Sequence, residues 1–338
     1  MAQYFARSLL GLIAVLIVVS IVTFALMHEV PGGPFAREKK LPQTVLDNLN
    51  AKYNLDEPVW KQYLNYMGDL LIPKITTGPY KFSVTDDHLF NIKLPFGDNA
   101  TLRWMNFGPS YTDRTRSVNG IIQDHLPISF QLGVAAMVVA TVIGIPLGTA
   151  AALRKNTPVD YFSMSVAILG VSVPAIVLGP LLQYVVAVEL NWLPTTGWGS
   201  FEQLIMPAFA LGFAQSALIA RLTRASLLQV LNEDYIRTAN AKGLPNRQVV
   251  WLHAMKNAMI PVVTVMGPLF AALVTGTFVI EKVFGLPGLG YYFVVSINQR
   301  DYATIMGTTL LFAFFIVIAN FIVDLTYVWL DPRIRFND

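Results

Sequence analysis

Apolar residues dominate this chain in long blocks, and the polar residues gather between them. Six stretches approach or exceed the run of about 20 apolar residues that a helix needs to cross a bilayer: residues 9–27, 126–153, 162–188, 203–220, 257–280 and 303–323. The second and third are long enough to tilt or to extend past the hydrocarbon. The fourth is the least apolar; it is expected to start near Glu202 and to continue past Arg224 as an amphipathic helix in water. Lipid offers no partner to an unpaired backbone group, so the pattern predicts an all-α polytopic membrane protein with six transmembrane helices.

The longest polar interval, residues 31–123, follows the first span. Pro42 can open a helix with Val45, Leu46, Leu49 and Tyr53 on one stripe. Asp56 is placed to cap a second, with Pro58 in its first turn and Val59, Tyr63 and Met67 near one face. The composition then changes over residues 72–106, where turn-forming Pro and Gly are frequent and residues 80–85 alternate like a half-buried strand. Two readings stand for this interval: a small β-rich lobe that meets an external partner, or an unordered insertion.

Basic residues give the orientation. Arg7, Arg154, Lys155, Arg221, Arg224, Arg237, Lys242, Arg247, Lys256, Arg333 and Arg335 fall on one side if six spans alternate. The opposite short loops, near 190–201 and 282–300, carry only Lys282 and Arg300, and a loop as long as 31–123 does not count in this rule. Both termini are therefore expected in the cytoplasm. The first apolar run is too long for a signal peptide and no small-x-small cleavage site follows it, so it reads as a retained anchor. The expected organisation is an anchor helix over 1–30, an extracytoplasmic loop or lobe over 31–123, and a five-helix core over 124–338.

Composition narrows the chemistry. The 338 residues are 54% hydrophobic and 13% charged, about half the charged fraction of a soluble domain. A net charge of +3 is too small to argue for nucleic acid, and the absence of cysteine excludes thiolate sites and disulfides. His28, His88, His125 and His253 have no metal-ligand spacing, so no metal is expected. No Ser/His or Asp/Asp pair suggests an intramembrane protease, and no chain of acids and histidines suggests a proton relay. A phosphate loop of the form G-x-x-x-x-G-K-[ST] is missing, so a nucleotide that drives this chain is held by another subunit. Pro146, Pro174, Pro180, Pro207, Pro261 and Pro268 lie in or at the ends of spans and tend to kink them. Asp324, near the cytoplasmic end of the last span, is given a structural role.

One cytoplasmic interval stands out. Over residues 234–243 a short helix is expected, with Asp234 capping its start, Gly243 in the left-handed position past its end and Pro245 forbidding continuation. It is far shorter than the roughly 12–15 residues an isolated helix needs in water, so something must hold it.

Four groups of residues carry a resemblance. They are Pro31-Gly32-Gly33-Pro34-Phe35; Tyr53-Asn54-Leu55-Asp56-Glu57-Pro58 with Gln62-Tyr63; Ile236-Arg237-Thr238-Ala239-Asn240-Ala241-Lys242-Gly243-Leu244-Pro245; and Glu281-Lys282-Val283-Phe284-Gly285-Leu286-Pro287-Gly288-Leu289-Gly290, with Val323-Asp324 and Asp331-Pro332-Arg333 closing the chain. With them the chain resembles the permease subunits of bacterial ABC importers, in particular the first, B-type permease of the oligopeptide/dipeptide class. The resemblance implies a type I ABC importer permease fold in the bacterial cytoplasmic (inner) membrane. It makes the short helix a coupling helix that docks on an ATPase through Asp234, Tyr235, Arg237, Thr238, Ala239, Lys242 and Gly243. Tyr235, Ala239 and Lys242 are expected on one face, where small Ala239 permits close approach. The implied partners are a second homologous permease, two ATP-binding subunits that hold ATP and Mg, an extracytoplasmic solute-binding protein and a peptide substrate. This chain itself would hold no cofactor and catalyse nothing. Nickel chelates, glutathione and glycopeptides are alternative cargoes, and an ion-coupled carrier is the alternative from another class. Asn240 stands where this class commonly has arginine, and residues 72–106 are an insertion relative to the family pattern.

Overall fold

The computed structural model describes residues 2–31, 33–35, 42–77, 83–95, 100–275 and 278–330, and their side chains between 10 and 322. The chain divides into two compact units, Met1–Ile128 with Gly288–Phe314, and Ser129–Pro287 with Phe315–Asp338.

In the first unit, helix α1 (Ala2–Glu29) is the anchor. Helix α2 (Gln43–Lys52) follows Pro42, which takes the N-cap position as its fixed φ allows. Helix α3 (Val59–Leu71) differs from expectation at its start: Pro58 is the N-cap and Asp56 lies in the turn before it, so Asp56 caps nothing. The reason is that Pro58 already holds the extended backbone of a cap and needs no side-chain acceptor for an N–H it does not have.

Residues 72–106 contain an antiparallel sheet in the order β1-β3-β2, with β1 Lys74–Thr77, β2 Phe90–Lys93 and β3 Ala100–Trp104. Of the strand expected over 80–85, residues 80–82 lie outside the described residues, and the described remainder is no strand: Ser83–Asp86 is a turn closed by the Asp86 N–H on Ser83 O at 3.0 Å. The core of this unit joins Phe24 and Met27 of α1, Leu70 of α3 and Phe107 to Val118, Ile121 and Ile122. Burial of those last three explains why helix α4 (Val118–Leu153) begins ahead of the expected 126.

In the second unit the stretch 162–188 is not one helix. Helix α5 (Pro158–Ser172) and helix α6 (Ala175–Leu182), prolonged by a π-helical turn Gln183–Glu189, meet at 98°. Pro174 lacks the N–H to continue α5 and drives Val173 to extended angles, φ −99° and ψ 111°. Helix α7 (Phe201–Val230) starts beside Glu202 and runs past Arg224 as expected; Gln203 Oε1 accepts the Ser200 N–H at 3.1 Å to close its first turn.

Three short elements lead on: helix α8 (Asp234–Ala241), helix α9 (Asn246–Gln248) and a π-helical turn Val249–Ala254. Helix α10 (Met255–Thr275) follows, then helix α11 (Phe278–Phe284). The interval 282–300, expected as a plain loop, carries helix α12 (Leu289–Gln299), and helix α13 (Tyr302–Leu330) closes the described chain. The side chain of Asp324 lies outside the described residues. By length and composition five helices among the described residues can cross a membrane, or up to seven if each bent pair is one span.

The second unit is packed to backbone contact. A Cβ on Gly212 of α7 would stand 2.3 Å from Ala136 O of α4, and one on Gly148 of α4 2.4 Å from Ala220 O of α7. Only glycine admits helices this close.

Candidate functional site

The site is built on α8 and the helix ends around it. α7 finishes at Val230, and a turn through Leu231–Glu233 redirects the chain. Glu233 is the N-cap residue: its carbonyl accepts the N–H groups of Ile236 at 3.1 Å and Arg237 at 3.3 Å. Asp234 is therefore the first helical residue and not the cap, a correction to the sequence reading. Its carboxylate makes no capping bond but lies in the first turn, where the helix dipole favours negative charge.

The other end agrees with the sequence. Gly243 has φ +77°; its N–H donates to Asn240 O at 3.0 Å, and the Leu244 N–H donates to Ala239 O at 3.4 Å. These two bonds form a Schellman stop, and Leu244 adds the apolar contact that accompanies one. Pro245 then caps α9.

The faces of α8 differ sharply. Ile236 and Ala239 are buried in a cluster with Ala152 at the end of α4, Leu227 near the end of α7, Val249 and Val250, and Met255 and Ala258 of α10. The chain itself thus holds the helix from beneath, which supplies the support that its length demands. Tyr235 sits at the edge, where its hydroxyl accepts a hydrogen bond from Asn257 Nδ2 at 2.8 Å. Asp234, Arg237, Thr238 and Lys242 are exposed. Ala239 does not share the outer face with Lys242: it lets α8 lie close on its own protein and leaves no recess for another. Arg237 Nη1 and Asp234 Oδ1 are 3.5 Å apart, an exposed pair of little energetic weight that leaves both charges available.

Two contacts escaped the sequence reading. Arg224 of α7 grips Asp160 of α5 in a bidentate pair, with Nε–Oδ1 and Nη2–Oδ2 both 2.7 Å. The Asn156 N–H donates to the same carboxylate at 3.0 Å. Asp160 in the first turn after Pro158 was the available signal, but its partner lies far along the chain. Ser129 Oγ donates to Glu281 Oε1 at 2.6 Å, and both residues are fully buried. Glu281 entered the sequence reading only as part of a motif.

Comparison with known proteins follows the same outline. Residues 144–336 match the family described as binding-protein-dependent transport system inner membrane component, and residues 1–82 match the N-terminal family of such membrane components. The dipeptide transport system permease protein DppB of Bacillus subtilis (strain 168) is 41% identical over 337 residues, covering 100% of this chain and 99% of the relative. The oligopeptide transport system permease protein OppB of Salmonella typhimurium is 38% identical over 338 residues, covering 99% of this chain and 100% of the relative. An inward-facing structure of the MetNI methionine ABC transporter matches 62% of this chain and 96% of its own with a TM-score of 0.53 at 19% identity, a likeness of fold.

Proposed function

The chain belongs to the binding-protein-dependent inner-membrane transport components, in their dipeptide and oligopeptide permease class, and from that premise we propose that it carries peptides inward as one permease subunit of an ATP-driven importer. It is a transport component and not an enzyme; ATP and Mg are bound and hydrolysed in partner subunits. Those partners are two ATP-binding subunits on the cytoplasmic side, a second homologous permease beside this one, and an extracytoplasmic protein that delivers the peptide. Both termini are cytoplasmic, residues 31–123 lie outside after the anchor 1–30, and residues 124–338 form the permease core.

The observation that carries this reading is the two-sided character of α8: apolar and buried beneath, charged and exposed above. Asp234, Tyr235, Arg237, Thr238 and Lys242 are the surface a moving ATPase would grip, with Ala239 and Gly243 fixing the seat and the stop. Displacement of α8 would pass to α7 through the three-residue turn, to α4 and α10 through Ile236 and Ala239, and from α7 to α5 through Arg224 and Asp160.

The test is co-purification with the ATP-binding subunits after Arg237→Glu and Lys242→Glu, together with uptake of labelled di- and tripeptides into proteoliposomes loaded with ATP. Weakened assembly and lost uptake are expected. Unchanged assembly of the double variant would remove the assigned face, and peptide uptake that proceeds without ATP or ATPase partners would remove the importer.

A further inference from the structure

The small sheet is dressed in reverse. On one face Arg103 is buried and its Nη1 meets Asp86 Oδ2 at 2.7 Å. On the other, the register places Ile75, Leu102 and Ile92 in one cross-strand row and Phe90 opposite Trp104 in the next. That face is open: Ile75 is 66% exposed and Ile92 54%. A half-solvated sheet in water shows the opposite arrangement, with apolar residues in and polar residues out.

Helix α3 is apolar on its outer side as well as its inner one. Tyr63, Tyr66 and Leu70 belong to the core, whereas Trp60, Leu64 and Leu71 share an outer stripe, with Trp60 65% and Leu64 58% exposed. The indole of Trp104 donates through Nε1 to Leu71 O at 3.1 Å, so the stripe and the sheet face adjoin.

Depth identifies what covers them. α3 lies against the outer part of α1: Tyr63 Oη and Ser20 Oγ share a hydrogen bond at 2.7 Å, the Tyr63 ring meets Phe24 edge-on at 5.4 Å, and Gln62 reaches His28 at 3.1 Å. The apolar run of α1 ends at Met27. At 1.5 Å per residue, Phe24 is about 5 Å and Ser20 about 10 Å inside that end. Interfacial amphipathic helices settle at this depth, about 5–10 Å into the boundary between headgroups and acyl chains. Tryptophan and tyrosine are enriched there. At the same level α1 also exposes Val22 and Leu26.

We propose that α3 and the apolar face of the three-stranded sheet are embedded in the outer leaflet, with phospholipid as the occupant, so that this part of residues 31–123 anchors the first unit to the membrane surface and is not a docking face for a delivery protein. Only the word outer rests on the sidedness proposed above; the lipid contact does not.

The natural absence of cysteine makes the test direct. A nitroxide is attached at Leu64→Cys or Ile92→Cys, with Asp47→Cys as the water-facing reference, in the assembled transporter in nanodiscs of phosphatidylethanolamine and phosphatidylglycerol. Collision with oxygen is compared with collision with a water-soluble nickel chelate. Hydrocarbon excludes the polar chelate, so the oxygen-to-nickel ratio at 64 and 92 is expected on the order of tenfold above the reference. A ratio equal to the reference would place both positions in water and overturn the proposal. Low collision with both probes and an immobilised spectrum would place a protein there and overturn it equally. Lipid access at 64 alone would overturn the part assigned to the sheet. As a measurement without a label, acyl chains brominated near the glycerol should quench the wild-type protein more than its Trp60→Phe variant; equal quenching would contradict the position of α3.

Discussion

Replacing Gly243 with valine isolates one physical quantity. A Cβ at this position meets nothing within 4 Å, so no clash contributes. What remains is the backbone, held at φ +77°. An L-residue in the left-handed region costs about 1–2 kcal/mol, and a β-branched one lies at or beyond the upper end. A penalty of about 2 kcal/mol is roughly a 30-fold shift in a local equilibrium. That is too little to unfold the bundle, whose helices are packed elsewhere. It is enough to open the stop made by the Gly243 and Leu244 N–H groups on Asn240 O and Ala239 O. Hydrogen exchange at these two amides should accelerate by about the same factor of 30. ATP-dependent peptide uptake should fall while membrane insertion stays normal. Gly243→Asn should retain most of both properties, because asparagine tolerates left-handed angles. Wild-type exchange and uptake in the valine variant would refute the assigned stop. An asparagine variant as damaged as the valine one would show that side-chain bulk, and not φ, is what the site rejects.

Asp160→Asn should cost about 2 kcal/mol by removing the charged half of the bidentate pair with Arg224, read as a lower thermal midpoint in detergent; an unchanged midpoint would deny the clamp any weight. Gly212→Val drives a side chain into Ala136 O and is expected to destabilise the α4–α7 contact by about 1–3 kcal/mol or more, seen as reduced yield of folded protein, whereas normal yield would mean the two helices can separate freely. Asp113, in the polar interval before α4, has its pKa lowered, first by the hydrogen bonds from the Thr115 side chain and backbone and then by Arg116. A depressed carboxyl stabilises the fold at pH above its unfolded value and loses that contribution as pH falls through its folded value. Asp113→Asn should therefore narrow the gap in thermal stability between neutral and acidic buffer, and an unaltered gap would contradict the assignment.

The elements that were legible in the sequence are those written by one local rule. Uninterrupted apolar runs gave α1, α7 and α13, and Gly243 with Pro245 gave the end of α8. The break between α5 and α6 was signalled by Pro174, but a proline in a span can either bend a helix or end it, and here the extended Val173 ends it. The small sheet was recognised by composition and misplaced by pattern. Its strands have only four or five residues, and alternation over such lengths arises readily in turns such as Ser83–Asp86. The cap of α8 went to Glu233 because both residues are acidic and only backbone geometry separates them. Asp160–Arg224 and Ser129–Glu281 could not be read, since each joins residues that only the fold brings together.

These contacts also set what α8 can transmit. A single hydrogen bond, such as Tyr235 to Asn257, fixes a distance and leaves rotation free. A bidentate pair fixes a distance and an angle, so α5 and α7 are bound to turn together at Asp160 and Arg224. α8 is joined to α7 by a short turn whose backbone bonds, Leu231 N–H to Leu227 O at 2.9 Å and Glu233 N–H to Val230 O at 3.1 Å, leave little slack. Its contact with α4 is apolar, and its contact with α10 is apolar apart from the Tyr235–Asn257 hydrogen bond; apolar surfaces of this kind resist separation while permitting small slides. On the proposed coupling role, a force applied at Arg237 and Lys242 would reach α7 and α5 through the stiffer joint and α4 and α10 through the more compliant one. Under that proposal, the difference in stiffness would give a uniform push on one short helix a route to unequal motion of the spans behind it.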